Sequence, residues 1–285
     1  MKEVPQEPLK KTKKNLQILL TNDDGIRSPG LWAAAKALSE LGFVQVAAPR
    51  DQFSGAGRSL PITSDGIIQV QEVEVKDQPW KVYAVGGTPA QVVLHAVLEI
   101  LPQCPDLVVS GINFGENVGS GITISGTVGA AMEAAAMGIP SLAVSLETDP
   151  KNHYSHSEEV DFSTAAYFTT YFSRLVLANR FPPDVDLLKV DVPNDATPQT
   201  PWTITRLSRS RYFEPLPPKR LSWDVPARVG YRIQQDNLQD TPDSDVQALS
   251  VRRIVSVTPL SLDMTSRIDL NEFERSLREG LTNER

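Results

Sequence analysis

The chain has 285 residues, 40% of them hydrophobic and 22% charged, and carries a net charge of −7 at pH 7. That mixture is globular and excludes wholesale disorder, collagen and coiled coil, and no apolar run approaches the roughly 20 residues of a membrane span. Five Lys fall within residues 1–14, so the rest of the chain is more acidic still. Such a body is a poor partner for nucleic acid polymers or an anionic membrane surface.

Residues 1–15 read as a flexible Lys-rich tail without the apolar stretch of a secretory signal. Leu16–Leu20 is a short apolar run, read as a buried strand, and Thr21-Asn22-Asp23-Asp24-Gly25 as the turn after it. Ser28-Pro29 then opens a helix, with Ser28 as cap, Pro29 at the first helical position and Leu31, Ala34, Ala35 and Leu38 on one face. Phe43–Ala48 is the next strand, which completes a β-α-β unit and implies a parallel sheet covered by helices. The pattern recurs. Lys81–Val85 is a strand, Thr88-Pro89-Ala90-Gln91 a capping box for a helix to Ile100, and Asp106–Ser110 a strand ending in a Gly/Asn-rich loop. A helix over Gly126–Met137, strands at Ser141–Leu146 and Leu187–Val192, and a helix over Phe162–Leu177 follow. After Pro193 proline and charge rise, with a strand at Ile254–Val257 and a terminal amphipathic helix carrying Leu270, Phe273 and Leu277 and stopped by Gly280. The expected architecture is α/β: a Rossmann-like, doubly wound, mostly parallel sheet over residues 16–192. Residues 193–285 are expected to form an irregular extension with a hairpin and a terminal helix, built onto the core or onto a partner subunit.

Ligands of open α/β sheets bind outside the carboxyl ends of the strands, and three polar loops lie there. The first carries the adjacent pair Asp23-Asp24, whose carboxylates repel unless a hard divalent cation neutralises them. The plainer reading is that Asp24-Gly25 makes a turn and Asp23 caps the helix. The other two loops supply neutral hard oxygens at Ser54 and Asn113, a donor set that favours Mg²⁺ or Mn²⁺ over Zn²⁺. Ser125-Gly126-Thr127 opens a helix, and a helix start with free N–H groups is an anion site, with Asn117 in reach; simple capping is the alternative. Arg58 follows a Gly-rich stretch and either contacts an anion or pairs with a carboxylate. His95 reads as a packed core histidine, and His153 and His156 as part of a solvated loop. The lone cysteine, Cys104, allows no intrachain disulfide and suits a reducing, cytoplasmic compartment.

These motifs together resemble the SurE family (stationary-phase survival protein E). The resemblance rests on Ile18-Leu19-Leu20-Thr21-Asn22-Asp23-Asp24-Gly25-Ile26, on Ser54-Gly55-Ala56-Gly57-Arg58-Ser59, and on Gly87-Thr88-Pro89-Ala90. Ser110-Gly111-Ile112-Asn113, with Gly115 and Asn117, and Ser125-Gly126-Thr127-Val128-Gly129 continue it in order. It implies a metal-dependent 5′/3′-nucleotidase that hydrolyses nucleoside monophosphates and short polyphosphate. It also implies one Mg²⁺ or Mn²⁺ per subunit on Asp23, Asp24, Ser54 and Asn113, with Asp23 and Asp24 catalytic, and phosphate held by Asn117, Ser125, Gly126 and Thr127. A homodimer or homotetramer with an exchanged C-terminal extension is further implied. Arg27 and Ile124 depart from the family's usual residues. A nucleotide sensor without turnover and a metal-dependent nucleotide-sugar glycosyltransferase are the competing readings.

Overall fold

The computed structural model describes residues 16–153, 157–233 and 240–282; the Lys-rich tail and His156 lie outside them. Gln17–Thr21 forms β1, an apolar run buried on both faces, as a central parallel strand requires. Pro29–Leu38 is α1, which starts on the fixed φ of Pro29 and buries Leu31, Ala34, Ala35 and Leu38. Ser28 stands at the cap position, but its side chain makes no capping bond. Phe43–Pro49 is β2.

Two strands, Ile68–Val75 (β3) and Gln78–Val85 (β4), then pair antiparallel. The sequence reading found only the end of β4. The hairpin turns on Lys76 and Asp77, both at positive φ (51° and 58°), the conformation of a tight primed turn but without its usual glycine. The alternation in IQVQEVEV is a period-two signal of a half-exposed strand.

Pro89–His95 is α2, and its capping box is formed as expected: the Thr88 side chain accepts from the Gln91 N–H while Gln91 reaches back to the Thr88 N–H. The last turn, Ala96–Ile100, is a π-helical continuation. His95 is not a core residue; its side chain is 30% exposed and pairs with Glu99 one turn on. Leu107–Phe114 (β5) runs four residues past the expected strand, Gly126–Ala136 is α3, Ser141–Leu146 is β6, Ser163–Ala178 is α4 and Leu187–Val192 is β7. Beyond Val192 come β8 (Trp202–Ile204), β9 (Phe213–Leu216), β10 (Gly230–Ile233), β11 (Val255–Leu260) and α5 (Leu270–Thr282). Gly280 does not stop the last helix, which runs on to Thr282.

The main sheet has the order β3-β4-β2-β1-β5-β6-β7-β11-β8. From β4 to β7 all pairs are parallel; β3 at one side and β11 at the other run antiparallel. The chain after Val192 thus returns to the sheet through β11 and β8, while β9 and β10 make a separate antiparallel pair. Helices α1 and α4 cover one face with Leu31, Leu38, Phe168 and Phe172, and α2 and α3 cover the other with Val92, Val93, Ala130 and Ala134. Strand order reverses between β1 and β5, which opens a crevice at their carboxyl ends.

Candidate active site

At the end of β1 the backbone turns through Asn22. Its side-chain oxygen accepts from the Gly25 N–H and its amide donates to the Gly25 carbonyl, both at 3.1 Å. Asn22 closes this turn with its own side chain, and the carboxylates of Asp23 and Asp24 make other bonds. Asp23 and Asp24 are 4% and 2% exposed. Asp23 accepts from the Thr127 hydroxyl and from the backbone N–H groups of Gly126 and Thr127 at the start of α3. Asp24 accepts from the Phe114 N–H at 3.2 Å and from Gln52 at 3.1 Å. Burial raises both carboxyl pKa values, and for Asp24 the neighbouring charge of Asp23 raises it further. Two adjacent carboxylates taken out of water in this way fit a hard divalent cation that restores the lost charge stabilisation.

The other expected donors lie nearby. The amide nitrogen of Gln52 lies 3.1 Å from Asp24 Oδ1, 3.1 Å from Ser54 Oγ and 2.9 Å from the His153 carbonyl, and so ties three segments together. Sequence reasoning missed Gln52 as a site residue; its position two residues before Ser54 in the same loop was the available signal. Asn113 donates its amide to the Gly115 carbonyl at 2.7 Å and the Phe114 carbonyl at 3.3 Å, so its side-chain oxygen remains its acceptor. Among the described residues no three His, Cys, Asp or Glu side chains form a metal cluster; the set here is two carboxylates with neutral oxygens.

A cavity of about 590 Å³ lies over the crevice, lined by Asp23, Ser54, Asn113, Asn117 and Ser125, with His153, Phe213 and Tyr231 across from them. Asn117 is fixed by two bonds of 2.8 Å, from its N–H to Asp191 and from its amide to the Ser145 hydroxyl. Beneath that loop Lys189, fully buried, bridges Asp191 and Asp245, and Asp245 accepts from the Gly119 N–H at 2.9 Å. Ser125 caps α3 by accepting from the Val128 N–H at 3.1 Å. Gly126 packs against Asp23: a Cβ there would stand 2.7 Å from the Asp23 Cβ. Thr127 spends its hydroxyl on Asp23. Arg58 is not part of the cavity wall; it pairs with Glu133 at 2.6 Å.

His153 does not sit in a solvated loop. It is half-buried, with Nδ1 2.7 Å from the Tyr231 hydroxyl and Nε2 3.3 Å from the Thr148 carbonyl, and burial lowers its pKa. Gly115, at φ +99°, admits it closely, because a Cβ there would lie 2.6 Å from Nε2. Glu116, beside the cavity, is 2% exposed. Burial first, and then the charges of Glu147 and Asp191, raise its pKa to about 7.

The family model Survival protein SurE matches residues 18–214, which hold β1, the polar loops and α3. The chain belongs to the SurE family. It is 45% identical to a protein of Thermococcus gammatolerans named 5′-nucleotidase SurE, over 94% of this chain and 100% of the relative. It is 42% identical to the protein of that name from Thermococcus kodakarensis, over 92% of this chain and 98% of the relative. The crystal structure of the SurE protein from Aquifex aeolicus matches with a TM-score of 0.72 at 32% identity, covering 91% of this chain and 99% of that one. The α/β architecture is therefore that of the family.

Proposed function

We propose that this protein is a divalent-metal-dependent phosphatase that hydrolyses nucleoside 5′-monophosphates to nucleoside and phosphate. Relatives 45% and 42% identical over nearly their whole length carry the name 5′-nucleotidase. One observation carries the mechanism: Asp23, Ser54, Asn113 and Ser125 at the start of α3 line one cavity, and Asp24, buried beside Asp23, is tied to Ser54 through Gln52. Asp23, Asp24, Ser54 and Asn113 would hold one Mg²⁺ or Mn²⁺ per subunit. Such an ion neutralises phosphoryl oxygens and acidifies water. Asn117 and Ser125 line the cavity and would hold the phosphate, where the positive end of α3 opposes the charge that builds as the ester bond breaks; the backbone of Gly126 and Thr127, whose N–H groups face Asp23, would reach it only by sharing those donors. The Thr127 hydroxyl orients Asp23. Arg58, held by Glu133, would reach substrate only by leaving that ion pair. Cleavage of 3′-monophosphates and short polyphosphate extends the same chemistry.

We read residues 16–192 as the catalytic core and residues 193–285 as an extension exchanged within a homodimer or homotetramer. Supporting this, Leu221 and Trp223 beyond β9, and Leu270, Phe273 and Leu277 on α5, are exposed in the single chain. No helix among the described residues is long and apolar enough to cross a membrane, and the lone free Cys104 fits a cytoplasmic setting.

The test is phosphate release from a panel of nucleoside monophosphates at pH 5 to 9, with EDTA, Mg²⁺ or Mn²⁺. Release that EDTA abolishes and either metal restores is expected. Nucleotide binding without release under any condition would replace this reading with a sensor, and transfer to an acceptor without free phosphate would replace it with a glycosyltransferase.

A further inference from the structure

The cavity is far larger than a phosphate group, and its volume of about 590 Å³ lies in the range of about 300–1,000 Å³ of small-molecule clefts. Its two sides differ in chemistry. One carries the polar groups already described. The other is a wall of three rings in mutual contact: Phe213 stands edge-on to Tyr231 at 5.4 Å and to His153 at 6.1 Å, and the His153 and Tyr231 rings lie 15° from parallel. All three rings are half-buried and line the cavity, and Ile124, which borders the same space, is 63% exposed. The polar atoms of the wall are engaged. The Thr148 carbonyl takes the Nε2 proton of His153, and the Tyr231 hydroxyl donates to Nδ1. A hydroxylated sugar would find few partners on such a surface. A flat aromatic ring gains from it by stacking.

We propose that Tyr231, Phe213 and His153 form the nucleobase subsite, and that the base is held by stacking rather than read along its edge. This rests on the phosphatase reading above, and it adds the group that separates a nucleotide from other phosphomonoesters. Two of the rings come from the β9–β10 pair, so specificity is carried outside the main sheet; this pair lies within the extension, and in the single chain it packs against the cavity of its own core, so the wall does not depend on exchange of the rest of the extension. The third is brought in by the loop after β6, where Gln52 holds the His153 carbonyl next to Asp24 and Ser54.

The experiment compares AMP, GMP and ribose 5-phosphate on wild type, Tyr231→Ala, Tyr231→Phe and Phe213→Leu, by steady-state phosphate release and by calorimetric titration in EDTA. Removal of a stacking ring is expected to raise the KM and the Kd for AMP about 5- to 150-fold. It should leave kcat/KM for ribose 5-phosphate within about twofold. Tyr231→Phe keeps the ring and should bind AMP nearly as wild type does. Phe213→Leu keeps apolar volume, so an AMP-specific loss there reports the ring even if Tyr231→Ala fails to fold. AMP and GMP should bind within about tenfold of each other. The inference is overturned if AMP and ribose 5-phosphate lose equally, if wild type binds both alike, or if AMP and GMP differ by more than about 100-fold. Absence of phosphate release from wild type would instead overturn the phosphatase reading, while the EDTA titrations still decide the subsite.

Discussion

Replacing Glu116 by Gln would measure the cost of burying a carboxyl beside the site. Among the described residues neither carboxylate oxygen of Glu116 has a hydrogen-bond partner of good geometry, the Tyr212 hydroxyl helps only weakly, and Glu147 and Asp191 add like charge. The charges of Glu147 and Asp191 are themselves balanced by Arg253 and Lys189. Glu116 ionises near 7 in the native protein against 4.5 in the unfolded chain. Between those values the native state binds more protons, so stability falls as pH rises through the window and levels off above it. From pH 5 to pH 8 the lost stability is roughly 2–3 kcal/mol. Glu116→Gln lacks this titration, so variant minus wild-type stability should grow by that amount over the same span. With an unfolding entropy of about 2.1 cal/mol/K per residue, the difference in Tm should widen by about 4 °C. Thermal and urea melts in EDTA at pH 5, 6, 7 and 8 provide the measurement. A difference independent of pH would refute the reasoning, whatever its sign, because the constant part reflects packing and only the slope reflects the proton.

Asp23→Asn should reduce phosphate release by orders of magnitude with the far-UV spectrum unchanged; near-normal turnover would remove Asp23 from the proposed metal site. Thr127→Ala takes a donor from the buried Asp23 carboxylate, and a Mn²⁺ titration should show affinity reduced about 10- to 100-fold. Unaltered Mn²⁺ affinity with a raised KM would instead make Thr127 a phosphate contact. Lys189→Met leaves Asp191 and Asp245 buried without their shared cation, and denaturant melts near neutral pH should show a loss of about 3–5 kcal/mol; a change below about 1 kcal/mol would mean the cluster tolerates that loss.

Much of the candidate site was legible because its parts are local. Adjacent aspartates after an apolar strand, a Ser in the next loop and Ser-Gly-Thr at a helix start each carry their chemistry within a few residues, and the switch-point rule says that such loops converge. The α1, α2 and α3 starts were legible for the same reason: Pro29 and the Thr88–Gln91 box act over single turns. Ser28 shows the limit: it stands at the cap position of α1, yet its hydroxyl is buried and makes no capping bond. The first edge strand was missed because its turn uses Lys76 and Asp77 in place of glycine.

By itself, then, the sequence determined the strand–helix alternation, the family and the polar residues at the carboxyl ends of the strands, all set by short-range periodicity and turn chemistry. Only the tertiary structure decided how those residues are used. It gave the turn to Asn22 and the Thr127 hydroxyl to Asp23, and it paired Arg58 with Glu133, 75 positions away. It also set His153 against Tyr231, 78 positions on, and raised Glu116 by burying it against Glu147 and Asp191. Pairings across such distances depend on how strands are ordered and loops folded back, and burial depends on everything packed around a group. Neither is encoded in the spacing of neighbouring residues.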